Sequence, residues 1–231
     1  MSAGALGSPR LHLRRVDSTN ARARELAVAG APHGTLVTAA EQTAGRGRQG
    51  RGWSAPAGRG LLLSVLLRDW PRLLPLGAAV AVAETAGDDA AIKWPNDVLL
   101  RDHKVAGILA EGRPQDGWMV LGIGLNVAVR PSDLPPDVRD TAATMGLDPT
   151  ELEPTLARLL ARLERWLAAG EPEILGAWRA RDALAGRAVA WAGGAGTAVG
   201  VDEDGRLVVD LADRGGRTAL DAGEVHLEPE A

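Results

Sequence analysis

The stretch Ala44 to Gly52 reads A-G-R-G-R-Q-G-R-G. Gly45, Gly47, Gly50 and Gly52 interleave with Arg46, Arg48 and Arg51, and no acidic residue sits inside. Glycine lets backbone approach a ligand and adopt conformations closed to other residues. Arginine adds a planar donor fork suited to phosphate and carboxylate. The chemistry this offers is anion binding by a mobile loop. Gly45-x-Gly47-x-x-Gly50 also matches the dinucleotide fingerprint, which needs a helix opening at the glycines. Here Trp53-Ser54-Ala55-Pro56-Ala57-Gly58 follows, and Pro and Gly forbid a long helix. A G-x-x-x-x-G-K-[ST] phosphate loop is absent as well. A solvated loop, or one that touches RNA backbone without specificity, is the plainer reading of the same residues.

Lys93-Trp94-Pro95-Asn96-Asp97 packs a cation, an aromatic, an amide and a carboxylate into one turn stiffened by proline. Its plain reading is a salt-bridged turn between strands. The chain has only two lysines, Lys93 and Lys104, and only three asparagines, Asn20, Asn96 and Asn126. Where arginine supplies nearly every positive charge, a retained lysine points to a site that needs a compact ammonium. Asp17-Ser18-Thr19-Asn20 can cap a helix over 21–29. It can equally offer neutral donors and acceptors to an uncharged ligand head group. Both hold together at a helix N-terminus. Trp53 is a flat surface for an aromatic base, or a core tryptophan.

The elements that position these residues follow from periodicity. Leu11 to Val16 alternates apolar and polar, a strand signal. Strands are expected at 35–40 and 61–67, either side of the Gly/Arg loop, the second near-continuously apolar and so buried. A buried helix is expected over 73–86 and a short strand at 90–92. A hairpin runs from Val98 through Asp102-His103 into 104–110, which brings Lys104 near Asp97. Trp118 to Val127 is another strand, with glycines that permit close approach. Pro131 to Asp148 reads as a loop. A helix follows, with Thr150 and Glu153 as capping box and Leu152, Leu156, Leu159, Leu160, Leu163, Trp166 and Leu167 on one face. A second helix is expected over 172–184. From Gly186 onward, short strand-like runs at 187–191, 197–201, 206–211, 217–220 and 225–227 alternate with Gly/Asp turns, which suggests a small antiparallel barrel.

Composition narrows the classes. The chain has 231 residues, 45% of them apolar, enough for one large domain, or one plus a small module. Net charge is −4, so nucleic acid is not the default partner. No apolar run of membrane-spanning length occurs, and the N-terminus lacks a signal peptide's long apolar region. There is no cysteine, which excludes disulfides, thiolate metal sites and cysteine nucleophiles. The four histidines have no metal-ligand spacing. A cytoplasmic protein is expected.

Taken together, these stretches resemble the biotin–protein ligase family. The matching pieces are Asp17-Ser18-Thr19-Asn20, Glu41 to Arg51, Lys93 to Asp97, Lys104-Val105-Ala106-Gly107-Ile108-Leu109 and Gly122-Ile123-Gly124-Leu125-Asn126-Val127. The resemblance implies an α+β fold: a mixed sheet flanked by helices, of the class II synthetase and lipoate-ligase kind, over 1–185, and an SH3-like barrel over 186–231. The loop often reads R-G-R-R-G-R in the family; here Gln49 replaces the middle arginine. Sixteen residues precede Asp17, which leaves no room for the DNA-binding domain of the repressor members and implies the monofunctional class.

The resemblance further implies that biotin and Mg·ATP give biotinoyl-5′-adenylate, with the acyl group passing to a lysine of a biotin carboxyl carrier domain of an acyl-CoA carboxylase. Biotin would be held by Ser18, Thr19, Asn20, Gln42, Gly45, Arg46, Gly47, Arg48, Lys104 and Gly107. ATP and the adenylate would meet Arg46, Arg48, Arg51, Trp53, Lys93, Asn96, Lys104 and Asn126. Lys104, Arg48 and Asp97 are the expected catalytic groups. Mg2+ accompanies the nucleotide, with no protein ligands assigned. A homodimer through sheet edges, as in relatives, stays open; nucleic-acid and membrane partners are not expected. The alternatives are a lipoate or octanoate ligase or transferase, whose cysteine acyl-enzyme branch is ruled out, and a non-catalytic biotin-binding or RNA-binding protein.

Overall fold

Two clusters of apolar side chains meet on opposite faces of one strand, Gly60–Leu67 (β3). Leu63, Val65 and Leu67 join the larger cluster, and Leu66 joins a smaller one with Ala23, Ala27, Val37, Trp118 and Val120. That is why β3 reads as a continuous apolar run: both faces are covered. The structure, a computed structural model, describes residues 5–211, 215–221 and 225–227.

A seven-stranded mixed sheet runs in the order β1-β2-β3-β7-β6-β5-β4. Its strands are Arg10–Leu13 (β1), Leu36–Ala39 (β2), β3, Ala91–Lys93 (β4), Asp97–Leu100 (β5), His103–Arg113 (β6) and Trp118–Asn126 (β7). The β1–β2 pair is parallel and the rest antiparallel. Thr19–Val28 (α1) covers one face, and Ser18 caps it through an N–H from Ala21 at 3.4 Å. The other face carries Leu74–Ala86 (α2), buried nearly all round between the sheet, Leu152–Ala168 (α4) and Glu171–Arg179 (α5). The 131–148 segment is not all loop: Pro136–Arg139 forms a short helix (α3).

Beyond α5 lies a five-stranded antiparallel sheet, ordered β11-β10-β9-β8-β12. It comprises Ala188–Trp191 (β8), Gly194–Val201 (β9), Leu207–Leu211 (β10), Arg217–Leu220 (β11) and His226–Leu227 (β12). Val189, Ala198, Val201, Leu207, Val209 and Val225 pack into the same core cluster as α2 and α5. Arg72 ties the two parts at the surface, reaching Glu171 at 3.0 Å, Asp204 at 2.6 Å and Glu203 O at 2.9 Å. No helix among the described residues is long and apolar enough to cross a membrane.

Three further expectations need correction. The Thr150–Glu153 capping box does not form: a 3-10 turn, Pro149–Glu151, leads into α4 without a side-chain cap. The Glu153 carboxylate instead accepts from both terminal guanidinium nitrogens of Arg10, each at 2.7 Å, and this pairing holds it below the usual carboxylate range. The α5 helix ends at Arg179 rather than near 184, because Arg181 O and Ala183 N leave it to bond Ile92. The β5–β6 turn falls at Arg101-Asp102, both at positive φ (51° and 63°), one residue earlier than expected and of the kind that suits a two-residue hairpin.

Candidate active site

A cleft of about 620 Å³ opens over β6 and β7, within the ordinary range for small-molecule sites. Its floor follows from the two-residue period of a strand. Gly122, Gly124 and Asn126 share one face of β7, and Gly107 on β6 pairs with Gly124. The glycines are gaps filled by other side chains. A Cβ at Gly122 would stand 2.8 Å from Asn20 Cγ, and one at Gly107 3.1 Å from Trp53 Cζ3. At Gly124 it would stand 2.8 Å from Trp53 Cδ2. Asn20 and the indole of Trp53 are thus laid side by side on the sheet.

One end of the cleft is neutral and polar. Ser18, Thr19, Asn20 and Gln42 line it at the start of α1. Thr19 donates through its backbone N–H (2.7 Å) and hydroxyl (3.0 Å) to Gln42 Oε1. Ser64, the lone polar residue in the β3 run and fully buried, contacts Thr19 Oγ1 at 2.8 Å and Asn20 Oδ1 at 2.6 Å. Asn20 Nδ2 donates to Glu111 at 2.8 Å. Neither Ser64 nor Glu111 was expected at the site. An isolated hydroxyl in L-L-L-S-V-L-L was the available signal for Ser64; Glu111 reads as an ordinary solvent-facing strand charge.

The Gly/Arg loop roofs the middle. It folds as a hairpin on itself: Gly47 N donates to Arg51 O at 2.6 Å and Trp53 N to Gly45 O at 2.9 Å. Gly45, Arg46, Gly47, Arg48, Arg51 and Trp53 all line the cleft. Gln49, at the departure from the family pattern, takes a left-handed turn position with φ 55°.

The other end combines charge with two unsatisfied groups. A bulge in the β5–β6 ladder brings Lys104 Nζ to 2.7 Å from Asp97 Oδ1, an ion pair by distance whose angles are not those of an aligned hydrogen bond. The same ammonium lies 5.6 Å from the centre of the Trp53 ring. Asn96 Nδ2 donates to Ile108 O at 3.0 Å, and Asn126 Nδ2 to Ala143 O at 2.9 Å. Asn126 Oδ1 and Trp53 Nε1 are buried without a hydrogen-bond partner among the described residues. Buried polar atoms are rarely left so, which suits a ligand that supplies one donor and one acceptor.

Lys93 alone among the expected site residues is not part of the lining; it sits on β4, opposite Asp97 in the hairpin. A wall that sequence reasoning passed over is formed by Leu134, Pro135, Val138, Thr141 and Ala142. Lys104 N donates to Thr141 O and Ala143 N to Lys104 O, both at 2.8 Å, stitching this segment to the site. The Leu134 and Val138 pair, four residues apart beside two prolines, was the faint signal for it.

Comparison with known proteins bears on this cleft. The family model described as the biotin/lipoate A/B protein ligase family matches residues 12–127. The biotin–[acetyl-CoA-carboxylase] ligase of Mycobacterium tuberculosis is 39% identical over 90% of this chain and 85% of its own. That of Paracoccus denitrificans is 36% identical over 92% and 98%. Among solved structures, the biotin protein ligase from Aquifex aeolicus in complex with biotin and ATP superposes with a TM-score of 0.78 at 29% identity, covering 96% of this chain and 99% of that one.

Proposed function

The chain belongs to the biotin/lipoate A/B protein ligase family, and from that premise we infer that it is a biotin–protein ligase. It activates biotin with ATP to biotinoyl-5′-AMP and pyrophosphate, then passes biotin to a lysine of a biotin carboxyl carrier protein. The observation that carries this reading is one continuous cleft with a neutral polar end, a cationic middle and an aromatic end holding an unsatisfied acceptor and donor.

The residue roles follow the chemistry. Biotin's ureido ring is neutral and polar, matching Ser18, Thr19 and Gln42. In the first step a carboxylate oxygen attacks the α-phosphorus and pyrophosphate leaves. Two anions must meet, so Arg46, Arg48 and Lys104 neutralise the charge that builds there. Trp53 stacks on adenine, with Asn126 Oδ1 accepting from a base N–H and Asn96 beside it. In the second step the carrier's lysine amine attacks the acyl carbonyl and AMP leaves; Asp97 orients that amine and takes its proton. The Gly/Arg hairpin shields the hydrolysable anhydride from water. No group of three or more His, Asp or Glu residues among those described stands together for a metal. Mg2+ enters with the nucleotide, as part of the substrate. Lys93, outside the lining, belongs to the support of the Asp97 turn in this reading. Residues 1–185 act as the catalytic unit and 186–231 as the small SH3-like unit.

The test is biotin-dependent exchange of labelled pyrophosphate into ATP, with lipoate and octanoate as controls. Exchange with biotin alone supports the reading. Exchange with lipoate or octanoate instead overturns the acyl specificity, and none with any of the three overturns adenylation.

A further inference from the structure

We propose that Glu111 is a positioning residue that makes the polar end of the cleft demand an N–H donor from its ligand. The inference rests on the biotin reading of that end. A chain of hydrogen bonds runs from Glu111 through Asn20, Ser64 and Thr19 to Gln42. Asn20, Ser64 and Thr19 are buried, at 5%, 0% and 3% exposure, so their hydrogens have few other places to go.

Both ends of the chain are fixed as acceptors. Gln42 must present Oε1 to Thr19, because the Thr19 backbone N–H, which can only donate, points at it from 2.7 Å. Asn20 must present Oδ1 to Ser64, because its Nδ2 donates to the Glu111 carboxylate at 2.8 Å. Arg24 lies 3.9 Å from the other Glu111 oxygen and keeps the carboxylate in place. Leu109 O, 3.5 Å from the same nitrogen, is too distant to hold it alone.

Between those acceptors stand two hydroxyls with one hydrogen each. They must serve three oxygen–oxygen links: Asn20 to Ser64, Ser64 to Thr19, and Thr19 to Gln42. The network is one hydrogen short. Asn20 takes Ser64's hydrogen and Gln42 takes Thr19's, which leaves none for the Ser64–Thr19 contact. Thr19 Oγ1 is then a bare acceptor facing the cleft, and a ureido N–H answers it. Were Asn20 turned over, its Nδ2 would donate to Ser64, Ser64 to Thr19 and Thr19 to Gln42. Every link would then be served without a ligand. Glu111 forbids that state.

The experiment compares wild type, Glu111→Leu and Glu111→Gln by calorimetric biotin binding and by pyrophosphate exchange. Binding of a cyclic carbamate analogue, with one ureido N–H replaced by ring oxygen, is measured alongside. Glu111→Leu should raise the biotin Kd about tenfold, the worth of one hydrogen bond. It should leave kcat at saturating biotin and the KM for ATP unchanged, and narrow the preference for biotin over the carbamate. Glu111→Gln can donate to a turned-over Asn20 as well as accept from the native one, so it should restore only part of the affinity. In a Ser64→Ala background, where the chain is already cut, Glu111→Leu should change little. A biotin Kd and carbamate preference equal to wild type in Glu111→Leu overturn the proposal. Should that variant not fold, Ser64→Ala alone must narrow the preference, and an unchanged preference overturns it. Wild type that binds no biotin would unseat the biotin reading rather than the polarity argument.

Discussion

Gly122 and Gly124 lie two residues apart on one strand face, yet each should control a different substrate. A Cβ at Gly124 would stand 2.8 Å from Trp53 Cδ2 and closer still to the indole's Cε2 and Nε1. That is roughly 0.7 Å or more inside ordinary carbon–carbon contact, so the ring must leave its seat. Overfilling of this kind costs about 1–3 kcal/mol, which as a loss of binding is about 5- to 150-fold. Gly124→Ala should therefore raise the KM for ATP by a factor in that range and leave the biotin Kd near wild type. Gly122→Ala meets Asn20 instead, 2.8 Å from its Cγ and closer to Oδ1. Asn20 is buried and bonded on both sides, to Ser64 and Glu111. The same strain falls on the polar end, so the biotin Kd should rise by a similar factor while the KM for ATP holds. Steady-state pyrophosphate exchange with each substrate varied in turn, backed by calorimetric biotin titration, reads both numbers. Thermal melts check that each variant folds. Equal damage to both substrates in either variant, or the reversed pattern, would refute the assignment of the two glycines to opposite ends.

Three further outcomes are expected. Lys104→Ala should fold and bind biotin nearly as wild type but form adenylate about 10²–10³-fold more slowly; unchanged single-turnover adenylation would remove its assigned role. Arg48→Ala should shorten the residence time of the adenylate, read by chasing labelled biotinoyl-AMP, and a residence time equal to wild type would count against the hairpin as a lid. Asp182 supplies a pH test. Burial pushes its carboxyl up, opposed by hydrogen bonds from the Leu184 and Ala185 N–H groups, and its Oδ2 has no partner among the described residues. The native state then binds this proton more tightly than the unfolded chain, so stability falls as pH rises through the raised native pKa. Asp182→Asn should raise the Tm at about pH 7, with the gain shrinking as the pH falls through the raised native pKa and gone below the ordinary carboxylate value of about 4. A gain that grows on acidification would contradict this.

Local chemistry made much of the fold legible in the sequence. The apolar run at β3, the one-sided leucine stripe of α4 and the Gly/Asp turns after residue 186 each pointed to the element that formed. Two of the failures share a cause: a distant partner outcompeted a local one. Glu153 had a nearby helix end to cap, but Arg10, far away in the chain, offers a bidentate pair. Residues 180–184 could have continued α5, but Ile92 takes their backbone. At the site, fifteen of the sixteen expected residues line the cleft: the rare Lys104, Asn20, Asn96 and Asn126 mark themselves by composition, the Gly/Arg loop by its pattern, and the others by the family resemblance. Lys93 shared that rarity but is not part of the lining. The 134–142 wall is made of common apolar residues in a Pro/Asp-rich stretch, and Glu111 is an ordinary charge on an ordinary strand. Only the three-dimensional register connects them to the cleft.

The hydrogen bond from Trp94 Nε1 to Gly205 O, 3.1 Å across 111 residues of chain, has a bearing on how the protein can be cut. Trp94 is 2% exposed and is separated from Asn96 and Asp97 only by Pro95. The Gly205 turn also rests on Leu73 and Leu76 at the start of α2. A fragment ending before β8 would uncover these side chains at once: an apolar scar beneath the segment that carries the Asp97 carboxylate. The small sheet therefore serves as a plug as much as an appendage. Fusions and tags belong at the ends of the intact chain, and a shortened version would need Leu73, Leu76 and Trp94 redesigned together.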